Sequence, residues 1–380
     1  MANKYWAAGV SGNWNSAASW SDFAIGTPAG AVVPGAGDAA IFNAASGTVT
    51  ATLDISPTVQ TLTMTGFTGT LAFGTNTISL NSTGTIFTGA TTMTVTGTPL
   101  IICTDSSATA RTITPAAVTE ANSISFRVTA GTGSLTLTAG SMRDLDLTDG
   151  TNPTGYAGTL SYNATTFYGN FKLSTSVGFS FSAGSVALTF AATSGTKTIN
   201  TAGVTVDRPF TFNGVGGTFQ LAAALTSGAT RTATLTNGTL DLNGYTFTSG
   251  NFNSNNSNVR TLAFGTGKIV LNATSGGIWT TSASTNLTVT GTNPLIQATA
   301  GGAGTRTITM GAAGESNAIS LDVTSGSDIV VLSTTSGAYK NVNFTGFTGT
   351  VSIQNSILVF GNWNYGGATI QGVGVSTVTF

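Results

Sequence analysis

The chain has 380 residues, of which only 7% are charged, against about 25% in an average globular protein. Twelve Lys and Arg balance thirteen Asp and Glu to a net charge of −1, which excludes the basic footprint that attracts nucleic acid or anionic lipid. The lack of histidine and the single cysteine, Cys103, exclude an internal disulfide, a cysteine-rich zinc site and a catalytic triad with imidazole. Cys103 lies in an apolar run, so we expect it to fill the core as a small hydrophobe.

Residues 1–45 carry three of the five tryptophans, Trp6, Trp14 and Trp20. The Gly, Asn and Ser residues around them predict a cap or attachment segment that covers the first turn of a repetitive domain. The three rings are candidates for an anchor on another protein, because Trp is enriched among residues that dominate binding energy. The alternatives are core aromatics of a small N-terminal domain and a platform for carbohydrate.

From residue 46 to residue 380 apolar residues recur at period two, as in Ile124, Phe126 and Val128. This alternation predicts short, half-buried strands about every 8–12 residues, with turns at Gly, Asn and Ser and almost no helix. Two all-β architectures fit such strands, a parallel β-solenoid and tandem β-sandwiches. The short strands and the low charge of the outer faces favour the solenoid.

A long internal duplication runs through the predicted solenoid, at about residues 67–190 and 258–380. The segment RTIT at 111–114, for example, returns 195 residues later at 306–309. Self-similarity on this scale is typical of repetitive, structural architectures.

No window approaches 18 apolar residues and no apolar leader begins the sequence, so we expect neither a membrane span nor export by a signal peptide.

The few charges that both copies share are Arg111 with Glu120 and Arg306 with Glu315. In a chain with so little charge, this pattern predicts a structural ion pair between neighbouring turns in each copy. The alternative is a role in binding.

The densest acidic stretch holds Asp144, Asp146 and Asp149. Alternation puts Asp144 and Asp146 on one outward face, where two carboxylates can bind a cation or act as an acid–base pair on a glycan. The second copy has Asn341 and Asn343 in their places, so any such activity belongs to the first copy alone. The alternative is a solvated polar face, and we expect no catalytic residue, resident metal or cofactor.

The last residues, 375–380, alternate as a further strand. An uncovered terminal strand favours aggregation, so we expect a partner or a symmetry mate to cover it and the protein to form a homo-oligomer.

The N-terminal pattern resembles a leader seen before Gly/Thr-rich β-solenoid regions in bacteriophage virion proteins. Its members are Trp6, Asn13, Trp14, Ser19, Trp20, Pro34, Asp38 and Phe42. The runs at 193–199 and 237–247 resemble the recurring repeat of those virion proteins, and the chain is also similar to autotransporter-like bacterial surface proteins. The resemblance implies a structural role in a virion or at a cell surface and implies no catalytic residues.

The sequence therefore predicts a non-enzymatic structural protein of a phage particle, made in the host cytoplasm and displayed as a capsid decoration, fibre or tail appendage. The expected partners are other virion proteins of the capsid or tail, host surface glycans and further copies of the chain, but not nucleic acid or membrane. The alternatives are a bacterial surface adhesin and a polysaccharide depolymerase.

Overall fold

A computed structural model describes residues 1–302, 304–333, 337–373 and 376–380. Across these residues the fold is all-β, and parallel strands stack in the successive turns of a β-solenoid. This confirms the predicted fold class and disfavours the tandem β-sandwiches. The chain divides into two compact units, unit 1 (Met1–Ser182) and unit 2 (Ala183–Phe380).

The strands form because alternating residues send one side of each strand into the core. In unit 1, Leu62 is fully buried between the half-buried Thr61 and Thr63. Leu62 lies beside Phe87 in the next turn, and Phe87 lies beside Ile113, so each of these turns takes about 25 residues. Burying one such side chain contributes about 1.5–3 kcal/mol, so the stacked apolar columns supply most of the stability.

The strands of unit 1 lie on three faces, and the chain visits the faces in turn. The first face contains Ala2–Trp6, Asp38–Ile41, Thr61–Thr63, Gly84–Thr88, Arg111–Thr114, Leu135–Leu137, Thr159–Tyr162 and Ser180–Phe181, with Trp20–Ser21 antiparallel at its edge. The second contains Gly12–Asn13, Thr50–Thr52, Thr70–Ala72 and Thr94–Thr96 and, further along the chain, the pair Gly140–Met142 and Thr165–Phe167. The third contains Thr58–Val59, Ile78–Leu80, Leu100–Cys103, Ser125–Val128, Leu145–Asp146 and Phe171–Lys172. Short 3₁₀ turns occur at Ala17–Ser19, Ala44–Ser46 and Glu120–Asn122.

Unit 2 repeats this arrangement. Its first face contains Leu188–Phe190, Asn251–Asn253, Gly276–Thr280, Thr305–Thr309, Ile329–Leu332, Thr350–Ile353 and Thr369–Gly372. Its second contains Thr196–Asn200, Arg260–Ala263 and Leu287–Thr290, and the long strands Phe210–Leu221 and Thr232–Asp241 bend to serve both faces. Its third contains Leu225–Thr226, Thr246–Ser249, Lys268–Leu271, Leu295–Ala298, Ile319–Val323 and Trp363–Asn364. The strand Gly337–Asn343 serves both the second and the third, because its first residues pair with Ile357–Val359 of the second face and its last residues pair with Trp363–Asn364. Val378–Thr379 lies beside Ile357–Val359 on the second face. A 3₁₀ turn occurs at Glu315–Asn317.

The last strand of unit 2, Val378–Thr379, pairs in parallel with Ile357 and Leu358 of the preceding turn. It belongs to the stretch predicted as a further strand, of which residue 375 lies outside the described residues. The predicted partner over this strand stays a prediction.

Candidate functional site

The three N-terminal tryptophans, predicted as an anchor for a partner, form a buried aromatic cluster instead. Trp6, Trp14 and Trp20 are all 0% exposed, and the centroid of the Trp20 ring lies 5.1 Å from that of Trp6 and 4.9 Å from that of Trp14. Phe42 stacks on Trp6 at 5.2 Å and also contacts Phe67 of the next turn. The structure therefore favours the alternative interpretation as core aromatics, because no ring is left at the surface for a partner.

Asp144 lies between two turns and connects them through its carboxylate. Its Oδ2 accepts a hydrogen bond from Ser125 Oγ at 2.5 Å, and its Oδ1 accepts from the backbone and side-chain N–H groups of Asn170 at 2.6 and 2.9 Å. In the second copy, Asn341 Oδ1 accepts from the backbone N–H of the following turn at 2.8 Å, and its Nδ2 donates to Ser320 Oγ at 3.2 Å. An amide thus links the same positions as the carboxylate, although it donates to the serine from which Asp144 accepts.

Asp146 shows the same equivalence with its copy. Its Oδ1 accepts from the N–H and the Oγ of Thr148 at 3.0 and 2.6 Å, while Asn343 Oδ1 accepts from the same two groups of Thr345 at 3.0 and 2.7 Å. The carboxylate also pairs with Arg127, whose Nε lies 3.1 Å from Oδ2. Asp146 therefore shapes the corner after its strand, as Asn343 does.

Asp149 is exposed and closes a tight turn of its own. Its Oδ1 accepts from the backbone N–H groups of Thr151 and Asn152 at 3.0 and 2.5 Å, which is an Asx turn. Within the ranges that the structure describes, no three Asp, Glu, Cys or His side chains come together in a group that could hold a metal ion. The cation and glycan roles of the three aspartates stay predictions.

The predicted ion pair of Arg306 with Glu315 is wrong, because Arg306 pairs with Asp328. Arg306 Nε lies 2.7 Å from Asp328 Oδ2 and Nη2 lies 2.8 Å from Oδ1, and both side chains are 0% exposed. Such a bidentate salt bridge combines opposite charges with a fixed hydrogen-bond geometry, and it is among the stronger polar interactions in proteins. Sequence reasoning missed Asp328 because side-chain neighbours in a solenoid lie one turn apart, here 22 residues.

The predicted pair of Arg111 with Glu120 is also wrong. Arg111 is fully buried, and its Nη1 donates to the backbone carbonyls of Asp105 and Ala130 at 2.7 and 3.1 Å. Its guanidinium lies over the ring of Tyr156, with Cζ 5.5 Å from the centroid. None of the ion pairs within the described residues includes Arg111.

Cys103 is buried, as predicted, and its thiol belongs to the core. Burial raises the pKa of this thiol to about 12, although the charge of Arg111 acts in the opposite direction. A thiolate is the reactive form of cysteine, so a thiol with this pKa is inert at neutral pH.

The described residues of unit 2 line two open surface grooves. The first, about 280 Å³, brings the exposed Glu315 and the half-buried Lys340 to one depression beside Pro294. The second, about 640 Å³, follows a corner built from Gly and Asn, with the exposed Val215 and Val259 among its lining residues. The first has the complementary charges to hold a small polar ligand, and the second offers mainly backbone and short side chains.

No helix in the described ranges has the length and apolar character of a membrane span. No known family model, curated protein or solved structure matches this chain.

Proposed function

We propose that the protein is a non-enzymatic structural component of a bacteriophage particle, displayed as a capsid decoration, fibre or tail appendage. The observation that supports a structural role is the exchange of Asp for Asn between the two copies. Asn341 and Asn343 accept from the same backbone N–H positions as Asp144 and Asp146, and an amide cannot replace a carboxylate as a general acid or base.

The resemblance of the N-terminal pattern and of the run at 237–247 to phage virion proteins supports the virion setting. The partners in this proposal are capsid or tail proteins, with host glycans and further copies of the chain as additional ones, after synthesis in the host cytoplasm. Since the tryptophan rings lie in the core, attachment through the N-terminal segment would use its exposed apolar residues. These are Phe23, Ile25 and Val32.

The experiment has two arms. Mass spectrometry and immunogold labelling of purified phage particles that carry this coding sequence should find the chain in the particle. Incubation of the purified chain with bacterial surface polysaccharides should release no new reducing ends. A chain absent from the particles contradicts the virion role. Release of reducing ends that is lost in Asp144→Asn or Asp146→Asn indicates a depolymerase, and binding by a chain found on the bacterial surface indicates an adhesin.

A further inference from the structure

Three positions carry a charge of the same sign in both copies of the duplication. They are Arg111 with Arg306, Glu120 with Glu315, and Arg143 with Lys340. The last pair exchanges one basic residue for another. Every other charge in one copy stands opposite a neutral or an oppositely charged residue, as Asp144 stands opposite Asn341. In a chain with so few charges, a repeated charge indicates a position where the charge has a use.

The repeated arginine is buried in each copy, whereas the other two charges lie at the surface beside the same 3₁₀ turn. In unit 2, Glu315 and Lys340 line one groove of about 280 Å³, with Glu315 exposed and Lys340 half-buried. In unit 1, Nη2 of Arg143 donates to the backbone carbonyl of Ala121, the residue after Glu120, at 3.3 Å. Both copies thus bring an acidic and a basic side chain to one place.

In unit 2 the two charges of the groove are not used on each other. Among the described residues no salt bridge includes Glu315 or Lys340, and the Glu315 carboxylate accepts no hydrogen bond. Lys340 Nζ donates to the backbone carbonyl of Thr292 at 3.5 Å, which is the outer limit for such a bond. An ammonium has three donors, so both groups keep the capacity to bind a ligand.

The lining of the groove indicates the kind of ligand. Its other residues are Gly291, Pro294, Ser316 and Ala318, which offer one hydroxyl and no aromatic ring on which a neutral sugar could stack. Its volume lies just below the range of about 300–1,000 Å³ for sites of drug-sized ligands, so the groove suits a single sugar ring. A ligand carboxylate pairs with an ammonium and ligand hydroxyls donate to a carboxylate, and such charge-assisted hydrogen bonds are the stronger kind.

We propose that the groove of Glu315 and Lys340 binds a uronic acid residue of a host surface polysaccharide, with the sugar carboxylate on Lys340 and sugar hydroxyls on Glu315. This inference rests on the proposed function, because it gives a chemistry to the contact with host glycans. The two fail separately. Loss of the sugar site leaves the chain in the phage particle, and absence from the particle leaves the binding of the sugar unchanged.

The first test compares three probes on the full chain by titration in saturation-transfer NMR. Methyl glucuronoside carries the ring and the carboxylate, methyl glucoside has a hydroxymethyl group in place of the carboxylate, and acetate has the carboxylate without the ring. We expect methyl glucuronoside to bind about tenfold more tightly than either of the other two. A glucuronoside that binds no more tightly than the glucoside or acetate overturns the proposal.

The second test locates the binding. Lys340→Gln and Glu315→Gln should each weaken the binding of methyl glucuronoside by about tenfold, which is the loss expected for one charge-assisted hydrogen bond. The control Lys268→Gln removes the same charge from unit 2 outside the groove, at a side chain that donates to Gln297, and should bind as the unsubstituted chain does. Full affinity in either groove variant, or an equal loss in Lys268→Gln, overturns the proposal.

A double variant separates the arrangement of the two charges from their sum. Glu315→Lys combined with Lys340→Glu keeps the net charge and exchanges the two positions. It should bind methyl glucuronoside no better than the single variants, because the sugar carboxylate and hydroxyls then meet the wrong partners. Affinity equal to that of the unsubstituted chain overturns the proposed orientation of the sugar.

Discussion

The side-chain oxygen of Asn122 accepts a hydrogen bond from the backbone N–H of Val95, at 3.2 Å. Val95 lies in the strand Thr94–Thr96, beyond which the next turn places the 3₁₀ turn Glu120–Asn122 instead of a strand. The amide oxygen thus accepts the hydrogen bond that a backbone carbonyl of a further strand would otherwise accept. Asn317 does the same for Val289 at 3.0 Å in unit 2, so both copies close a sheet edge with one side chain.

Substitution of Asn122 measures how much this edge contact contributes to the free energy of unfolding. Asn122→Ala leaves a half-buried N–H without its acceptor and should lower the free energy of unfolding by about 1–2 kcal/mol. Asn122→Asp keeps the acceptor and should cost less. Urea unfolding of both variants, with Asn317→Ala and Asn317→Asp as the equivalent pair in unit 2, measures the difference. Equal losses for Ala and Asp would show that the oxygen is not the important atom.

Asp328→Ala should be one of the most damaging single changes in unit 2. It leaves Arg306 buried without its counter-charge, and removing one partner of a buried pair costs about 3–5 kcal/mol. The double variant Arg306→Met with Asp328→Ala should recover much of this loss, because the unpaired charge is gone. A double-mutant cycle in urea gives the coupling, and a double variant less stable than Asp328→Ala would contradict the account.

Asp144→Asn should be nearly neutral, within about 0.5 kcal/mol in urea unfolding, because Asn341 links the corresponding groups of the second copy by accepting from a backbone N–H and donating to a serine hydroxyl. Asp144→Ala removes the acceptor for three donors and should cost about 1–3 kcal/mol. A large loss in Asp144→Asn would mean that the negative charge itself is required, which would reopen the cation and acid–base interpretations.

Stability should fall as the pH rises above about 9. Burial raises the pKa of Cys103 from 9.0 to about 12, so the folded state keeps a proton that the unfolded state releases in this window. The contribution is complete below pH 9, and between pH 9 and 12 it declines by about 1.4 kcal/mol per pH unit. Tyr156, whose pKa burial raises to about 12, adds a similar decline from about pH 10.

Urea unfolding at pH 7, 9, 10 and 11 measures this profile. Cys103→Ala, which copies Ala298 of the second unit, should flatten the profile between pH 9 and 10. The later decline should remain, because burial raises the pKa of both Tyr156 and Tyr339. Identical slopes for the two proteins between pH 9 and 10 would show that the thiol is not the titrating group.

The sequence was sufficient for the fold class and for the burial of Cys103, because both follow from alternation along a single strand. It was not sufficient for the partners of Arg111 and Arg306. Glu315 lies only nine residues after Arg306, which is less than half a turn, whereas Asp328 lies one full turn away and therefore beside it. The local composition also does not distinguish a tryptophan that is buried in the core from one that binds a partner, because both kinds occur among Gly, Asn and Ser.

Parallel pairing in register also limits how the length of such a chain can change. Each strand needs a neighbour whose apolar residues point the same way, as Leu62, Phe87 and Ile113 do across three turns. Gain or loss of a whole turn preserves that match, but a single residue added within a strand turns its apolar side chains to water. Natural variants of this protein should therefore differ in length by whole turns, with smaller insertions confined to the corners.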